Sequence, residues 1–164
     1  MTDAIKLTVN AANLVRHLRN AFTRTDTVLA ELMQTARRAG ATSVAFQCDE
    51  TTRTLSVADN GRGLEDPQAM FSIGESGCDT KTMTDERPFG MGFMAAIYAA
   101  ERVVIASRGR RIDIATCDLL DFQDIAAEAD AEGPVQGARI TLQGWPLDDR
   151  QTKAALANYA RGFP

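Results

Sequence analysis

At 164 residues, with 45% hydrophobic and 24% charged positions, the chain has the length and balance of one globular domain with a proper core. A net charge of -4 and a sequence pI of about 5.0 argue against a nucleic-acid surface, and no apolar run approaches the ~18 residues of a membrane span. Three separated cysteines, Cys48, Cys78 and Cys117, with a single histidine, His17, argue against a zinc centre. The cysteines read as reduced thiols and the N-terminus carries no signal-peptide pattern, so a cytoplasmic location is expected.

Along the chain, Leu14, Val15, Leu18, Ala21 and Phe22 recur at helical spacing over 11–22. Val28, Leu29, Leu32, Met33, Ala36 and Ala39 predict a second helix over 26–39, stopped by Gly40. Residues 44–48 and 54–58 predict a hairpin around the polar turn 49–53. A loop with Pro67 and a short helical piece through Met70 and Phe71 follow. Residues 74–88 are polar and glycine-containing, and a loop of that length usually carries function. Residues 93–100 predict a helix, then 103–107 and 111–116 two strands about Gly109, with Arg108, Arg110 and Arg111 on a solvated hairpin. Residues 123–133, acidic and alanine-rich, read as a surface excursion. The last strand is predicted at 137–142 and a last helix at 148–160. The fold class is α+β: a two-layer sandwich in which helices pack on one face of a mixed sheet.

Three segments concentrate the chemistry. In Asp59-Asn60-Gly61-Arg62-Gly63, a carboxylate at a strand end is followed by glycines that let backbone pass close to a flat ligand. Such a carboxylate accepts a hydrogen bond from an exocyclic amino group. In Gly90-Met91-Gly92-Phe93, glycines open a helix, where exposed N–H groups and the helix dipole favour phosphate. In the helix over 26–39, Glu31, Thr35 and Arg38 stand at offsets of four and seven and share one face.

In this order and at these distances, the three segments resemble the ATP-binding domain of the GHKL superfamily, which includes gyrase, the heat-shock chaperone ATPases, histidine kinases and MutL. The resemblance covers roughly 14–142 and implies the Bergerat ATP-binding fold as a single domain over 1–164, with its motifs within 31–141. It implies that Asp59 reads adenine, that Gly61 and Gly63 clear space, and that Leu64 lies against the ring. It makes 74–89 a lid, with Ser76 and Lys81 reaching phosphate, and makes Gly90, Met91, Gly92 and Phe93 the segment that closes over the triphosphate. It gives Thr141 the role of supporting Asp59.

The same resemblance makes Glu31 the residue that positions and deprotonates the attacking water. The family pattern is E-x-x-x-N-x-x-D-A. Here Thr35 stands in place of an asparagine that ligates Mg²⁺, and Arg38 in place of the aspartate. Thr35 would meet the metal through water or not at all. Arg38 would offset phosphate charge or pair with Glu31. The expectation is ATP binding, with Mg²⁺ as a cofactor and with slow or conditional hydrolysis. The alternatives are a non-enzymatic nucleotide-sensing interaction module and an anti-sigma-type serine protein kinase. A nucleotide-dependent homodimer or a protein partner is expected, in either a fragment or a stand-alone module.

Overall fold

The computed structural model describes residues 8–22, 24–72 and 92–161. Their helices are α1 (Ala11–Leu18), α2 (Thr27–Arg38), α3 (Gln68–Phe71), α4 (Gly92–Ala99), α5 (Thr116–Leu120) and α6 (Asp149–Ala160), with a 3-10 turn at Arg19–Ala21. The strands are β1 (Val44–Asp49), β2 (Thr54–Asp59), β3 (Arg102–Ser107), β4 (Arg110–Ala115), β5 (Ala127–Ala129) and β6 (Ala138–Gln143). They form one sheet in the order β1-β2-β6-β3-β4-β5. The α+β class expected from the sequence holds.

The sheet is antiparallel at every described pairing, not mixed. The reason is topological. β2 and β3 run in the same direction and would pair in parallel as neighbours. β6 inserts between them and is antiparallel to both, with Val57 opposite Ile140 and Ile105 opposite the same residue.

Alternation along the strands decides which side is core. Leu55, Val57, Val103, Ile105, Ile112, Ile140 and Leu142 point to one face and are buried with Leu29, Leu32 and Ile97 of α2 and α4. α2 is amphipathic, burying Val28, Leu29, Leu32, Met33 and Ala36. α4 is apolar all round and sits deep, with Met94, Ala95, Ala96 and Ile97 buried. The opposite face carries Gln47, Ser56, Arg139 and Thr141 around a depression of about 550 Å³.

The C-terminal helix packs back on this body. Asp148 and Gln151 form a capping box at its start. Buried Trp145 donates from Nε1 to Thr152 Oγ1 at 3.1 Å, which satisfies both polar groups in the core. At the far end, the Tyr159 hydroxyl donates to Asp26 Oδ2 at 2.9 Å, joining α6 to the start of α2. Two elements escape the sequence reading. α5 follows β4 directly, and β5 lies inside the expected surface excursion, held by pairing of Ala127 and Ala129 with Ile112 and Arg110. Nothing in Ala-Glu-Ala favours a strand; the neighbouring edge imposes it. Among the described residues, no helix is long and apolar enough to cross a membrane.

The Asp26 clasp generates a pH prediction. Hydrogen bonding from Arg24, and secondarily from Tyr159, holds the Asp26 carboxyl below its ordinary value of 3.8. A depressed carboxylate contributes stability that is complete above the unfolded value and is lost as pH falls through the folded one. Urea midpoints measured from about pH 6 to about pH 2.5 should therefore fall at the acid end. That acid limb should be shallower in Asp26→Asn and in Tyr159→Phe. An acid limb unchanged in Asp26→Asn would show that the clasp does not contribute.

Candidate nucleotide site

β2 delivers Asp59 on the helix-facing side of the sheet, in phase with Leu55 and Val57. The side chain is half-buried, and its Oδ1 accepts the Gly61 N–H at 2.8 Å. The chain then turns under the C-terminal end of α2. Arg62 N–H donates to the Ala39 carbonyl at 2.9 Å. A β-carbon at Gly61 would stand 2.7 Å from that same oxygen and 3.0 Å from Asp59 Oδ1, so only glycine lets helix and loop touch here.

Asn60 locks the other side of this junction. Its Oδ1 accepts the N–H groups of Thr42 and Ser43, each at 2.9 Å, and its Nδ2 donates to Thr42 Oγ1 at 2.9 Å. The loop leaving α2 is thereby tied to the loop leaving β2. Asn60 had no assigned role in the sequence reading; its place within an Asp-Asn-Gly turn was the available signal.

Leu64 packs half-buried against the core, and its N–H donates to Ser107 Oγ at 2.9 Å. Gly63 (φ +76°) occupies the left-handed region, and a β-carbon there would meet Ser107 Oγ at 2.8 Å. Phe93 is turned onto Phe71, edge to face, at 5.8 Å between ring centres.

Thr141 requires correction. It pairs with Ser56 and Val104 and lies on the open face, opposite Ile140 and Leu142, so its side chain is on the wrong side of the sheet to support Asp59. The β6 position in phase with the core and beyond the Ala58–Arg139 pair is Ala138, which has no polar group to offer. The alternation Ile140-Thr141-Leu142 already carried this answer.

In the second turn of α2, half-buried Glu31 reaches the start of α4. A β-carbon at Gly92 would stand 2.1 Å from Glu31 Oε2, so the carboxylate rests on the bare Cα face of that glycine. Thr35 is exposed, and its hydroxyl donates back to the Glu31 carbonyl at 2.8 Å. Arg38 Nη2 donates to Gln34 Oε1 at 3.3 Å. Ser76, Lys81, Gly90 and Met91, with the rest of the expected lid, lie outside the described residues. Glu31, Gly92, Asp59, Gly61, Gly63 and Leu64 are thus brought to one side of the sheet, in two groups, one at the second turn of α2 and one at its C-terminal end.

Comparison with known proteins gives the family. Residues 23–145 match the model of a family described as histidine kinase-, DNA gyrase B- and HSP90-like ATPase. The chain belongs to that family. It is therefore an ATP-binding domain of the GHKL type. It is also similar to two proteins named chaperone protein HtpG. With that of Salinispora tropica it is 30% identical over 132 residues, covering 71% of this chain and 20% of the relative. With that of Sodalis glossinidius it is 28% identical over 144 residues, covering 74% of this chain and 22% of the relative. The chain spans about a fifth of the length of these curated relatives. The matched span of this GHKL domain takes in α2, the sheet and Trp145 but stops before α6.

Two glycines of the domain test the geometry. At Gly61 the obstacle is backbone, which cannot step aside, so Gly61→Ala should cost ~1–3 kcal/mol of stability by urea unfolding. At Gly92 the obstacle is the tip of a flexible side chain. Gly92→Ala should cost less than about 1 kcal/mol and should displace Glu31. Any cost of Gly92→Ala should shrink in a Glu31→Ala background, because the double-mutant cycle removes the clashing group found among the described residues. Strict additivity of the two substitutions would place Glu31 away from Gly92.

Proposed function

We propose that this domain holds ATP along the axis of α2, adenine at Asp59 and the terminal phosphate near Glu31 and Gly92. The observation that carries the reading is the placement of two chemically distinct groups along one helix, one met by Glu31 in its second turn and the other by Ala39 at its C-cap. Ala39, which meets the Gly61 loop, and Glu31, which meets Gly92, are eight residues apart, roughly 12 Å at the helical rise. That is the scale of an extended nucleoside triphosphate. Gly61, Gly63 and Gly137 let backbone close tightly around Asp59. Asp59 Oδ1 is engaged by Gly61, while Oδ2 receives no hydrogen bond among the described residues and remains to accept the adenine amino group.

Under this reading, Glu31 is the base. It orients a water and takes its proton as the water attacks the terminal phosphorus; the bond from that phosphorus to the bridging oxygen breaks, and ADP is left held at its adenine end. The fit to Mg²⁺ is poor. The Thr35 hydroxyl has a shorter stem than an asparagine amide and is turned back toward its own helix, so its oxygen stays close to α2 rather than reaching out toward a metal. No step is therefore routed through the metal, and turnover is slow or conditional. The same observation favours a second reading, a nucleotide-sensing module that binds without turnover. The lid role of 74–89, a single domain over 1–164 and a nucleotide-dependent dimer or protein partner belong to the proposal on the strength of the sequence.

Replacing half of an acceptor-only carboxylate by a donor should disrupt adenine reading. Asp59→Asn is expected to weaken ATP binding by ~2–3 kcal/mol, roughly 30–150-fold, in calorimetry. Unchanged ATP binding in Asp59→Asn, or GTP bound as well as ATP by the wild type, would remove adenine from this position.

Thr35→Asn should restore a longer, well-directed amide oxygen. Mg²⁺ should then strengthen ATP binding more than in the wild type, and hydrolysis should rise. Adding Glu31→Ala should abolish that gain in rate while sparing binding, because a base acts in the transition state. Full Mg²⁺-dependent turnover in the wild type, unaltered by Thr35→Asn, would show that α2 already serves the metal or that the metal is held elsewhere.

A further inference from the structure

Ser107 ends β3 next to the Arg108-Gly109 turn, a position with no motif to mark it. It is nonetheless one of two buried polar residues among those described, 4% exposed. Its hydroxyl is fully employed. It donates to the Gly137 carbonyl at 2.8 Å and accepts the Leu64 N–H at 2.9 Å. These two partners belong to the two loops that enclose Asp59: the glycine loop leaving β2 and the approach to β6.

The crowding shows what that bridge controls. A β-carbon at Gly137 (φ +68°) would stand 2.2 Å from the Asp59 carbonyl oxygen and 2.7 Å from Asp59 Oδ1. A β-carbon at Gly63 would stand 2.8 Å from Ser107 Oγ and 2.9 Å from the Gly137 carbonyl. Backbone on one side and the Gly61 N–H on the other leave the Asp59 carboxylate little freedom, and Ser107 is the side chain that holds those walls together. Its hydroxyl alone can serve both, since one O–H donates while a lone pair accepts.

We infer that Ser107 is the positioning residue for base selection: by bridging Leu64 and Gly137 it fixes the direction in which Asp59 presents its free oxygen, and so sets how strongly the site prefers a purine bearing a 6-amino group. The inference rests on Asp59 being the adenine contact. Ser107 itself touches no ligand. A site built to pair with an N–H discriminates against the analogue that lacks it, and that discrimination depends on the acceptor's direction.

The test compares binding of ATP with that of purine riboside triphosphate, which carries hydrogen in place of the 6-amino group, by calorimetry on the full chain. The readout is the ratio of the two affinities. Partial unfolding weakens both equally and leaves the ratio unmoved, so a merely structural role would not change it. The wild type should prefer ATP by ~10–100-fold. Ser107→Ala should reduce this preference to below about threefold, and Ser107→Thr, which keeps the hydroxyl, should retain more of it than Ser107→Ala. If Ser107→Ala does not fold, the same ratio is read on Ser107→Cys, whose thiol fills the space with weaker hydrogen bonds, and a clear fall is again expected. A preference within about twofold of wild type in the folded variant overturns the inference while leaving Asp59 in place. A wild type that binds ATP without preference, or does not bind it, overturns the adenine reading and this inference with it.

Discussion

The site depends on one close approach: the C-terminal end of α2 against the loop that follows β2. Bare backbone makes it possible. The Ala39 carbonyl accepts from Arg62 where a side chain at Gly61 would collide, and Asn60 ties the two departing loops across the same junction. The net gain from each such hydrogen bond is modest, about 1 kcal/mol, but a buried partner left unpaired costs more. The junction is therefore closed by mutual satisfaction rather than by apolar area. It fixes Asp59 relative to α2, and α2 then carries Glu31 to Gly92 as a rigid spacer.

The sheet explains why the two halves meet at all. The chain lays down β1 and β2, leaves through α3 and α4, and returns as β3; only β6, late in the sequence, joins β2 to β3. The loop entering β6 contains Gly137, which passes over Asp59, and Ser107 at the end of β3 holds that passage. The strand that completes the sheet thus also completes the wall of the site. Most of these contacts are distant in sequence, and their closure entropy is repaid only when the core around Leu55, Val103, Ile140 and Leu142 forms.

Glu31, Thr35 and Arg38 share one face of α2 but meet different neighbours. Glu31 has a defined neighbour in Gly92. Thr35 spends its proton on its own helix, as threonine does when helical, and Arg38 is in contact with Gln34. Family membership supports ATP binding.

Local pattern determined much of this protein by itself. The 3.6-residue period of 26–39 and the apolar run at 93–100 appear as α2 and α4, and the alternation in 54–58 puts Asp59 on the core face. The spacing of Glu31, Asp59 and Gly92 identified the family. Such features are written in contiguous residues whose side chains and turns act on their own neighbourhood. Tertiary structure decided the rest. Ser107 matters because Leu64 and Gly137, far from it in sequence, arrive on either side of its hydroxyl, and Ala127–Ala129 is a strand because β4 offers an unpaired edge. β6 makes the sheet antiparallel by position, not by composition. Thr141 was misplaced although its phase was legible, because a motif was weighed above the alternation of its strand. A hydroxyl or a carboxylate acquires a function only from the groups it faces, and those are chosen by the folded chain.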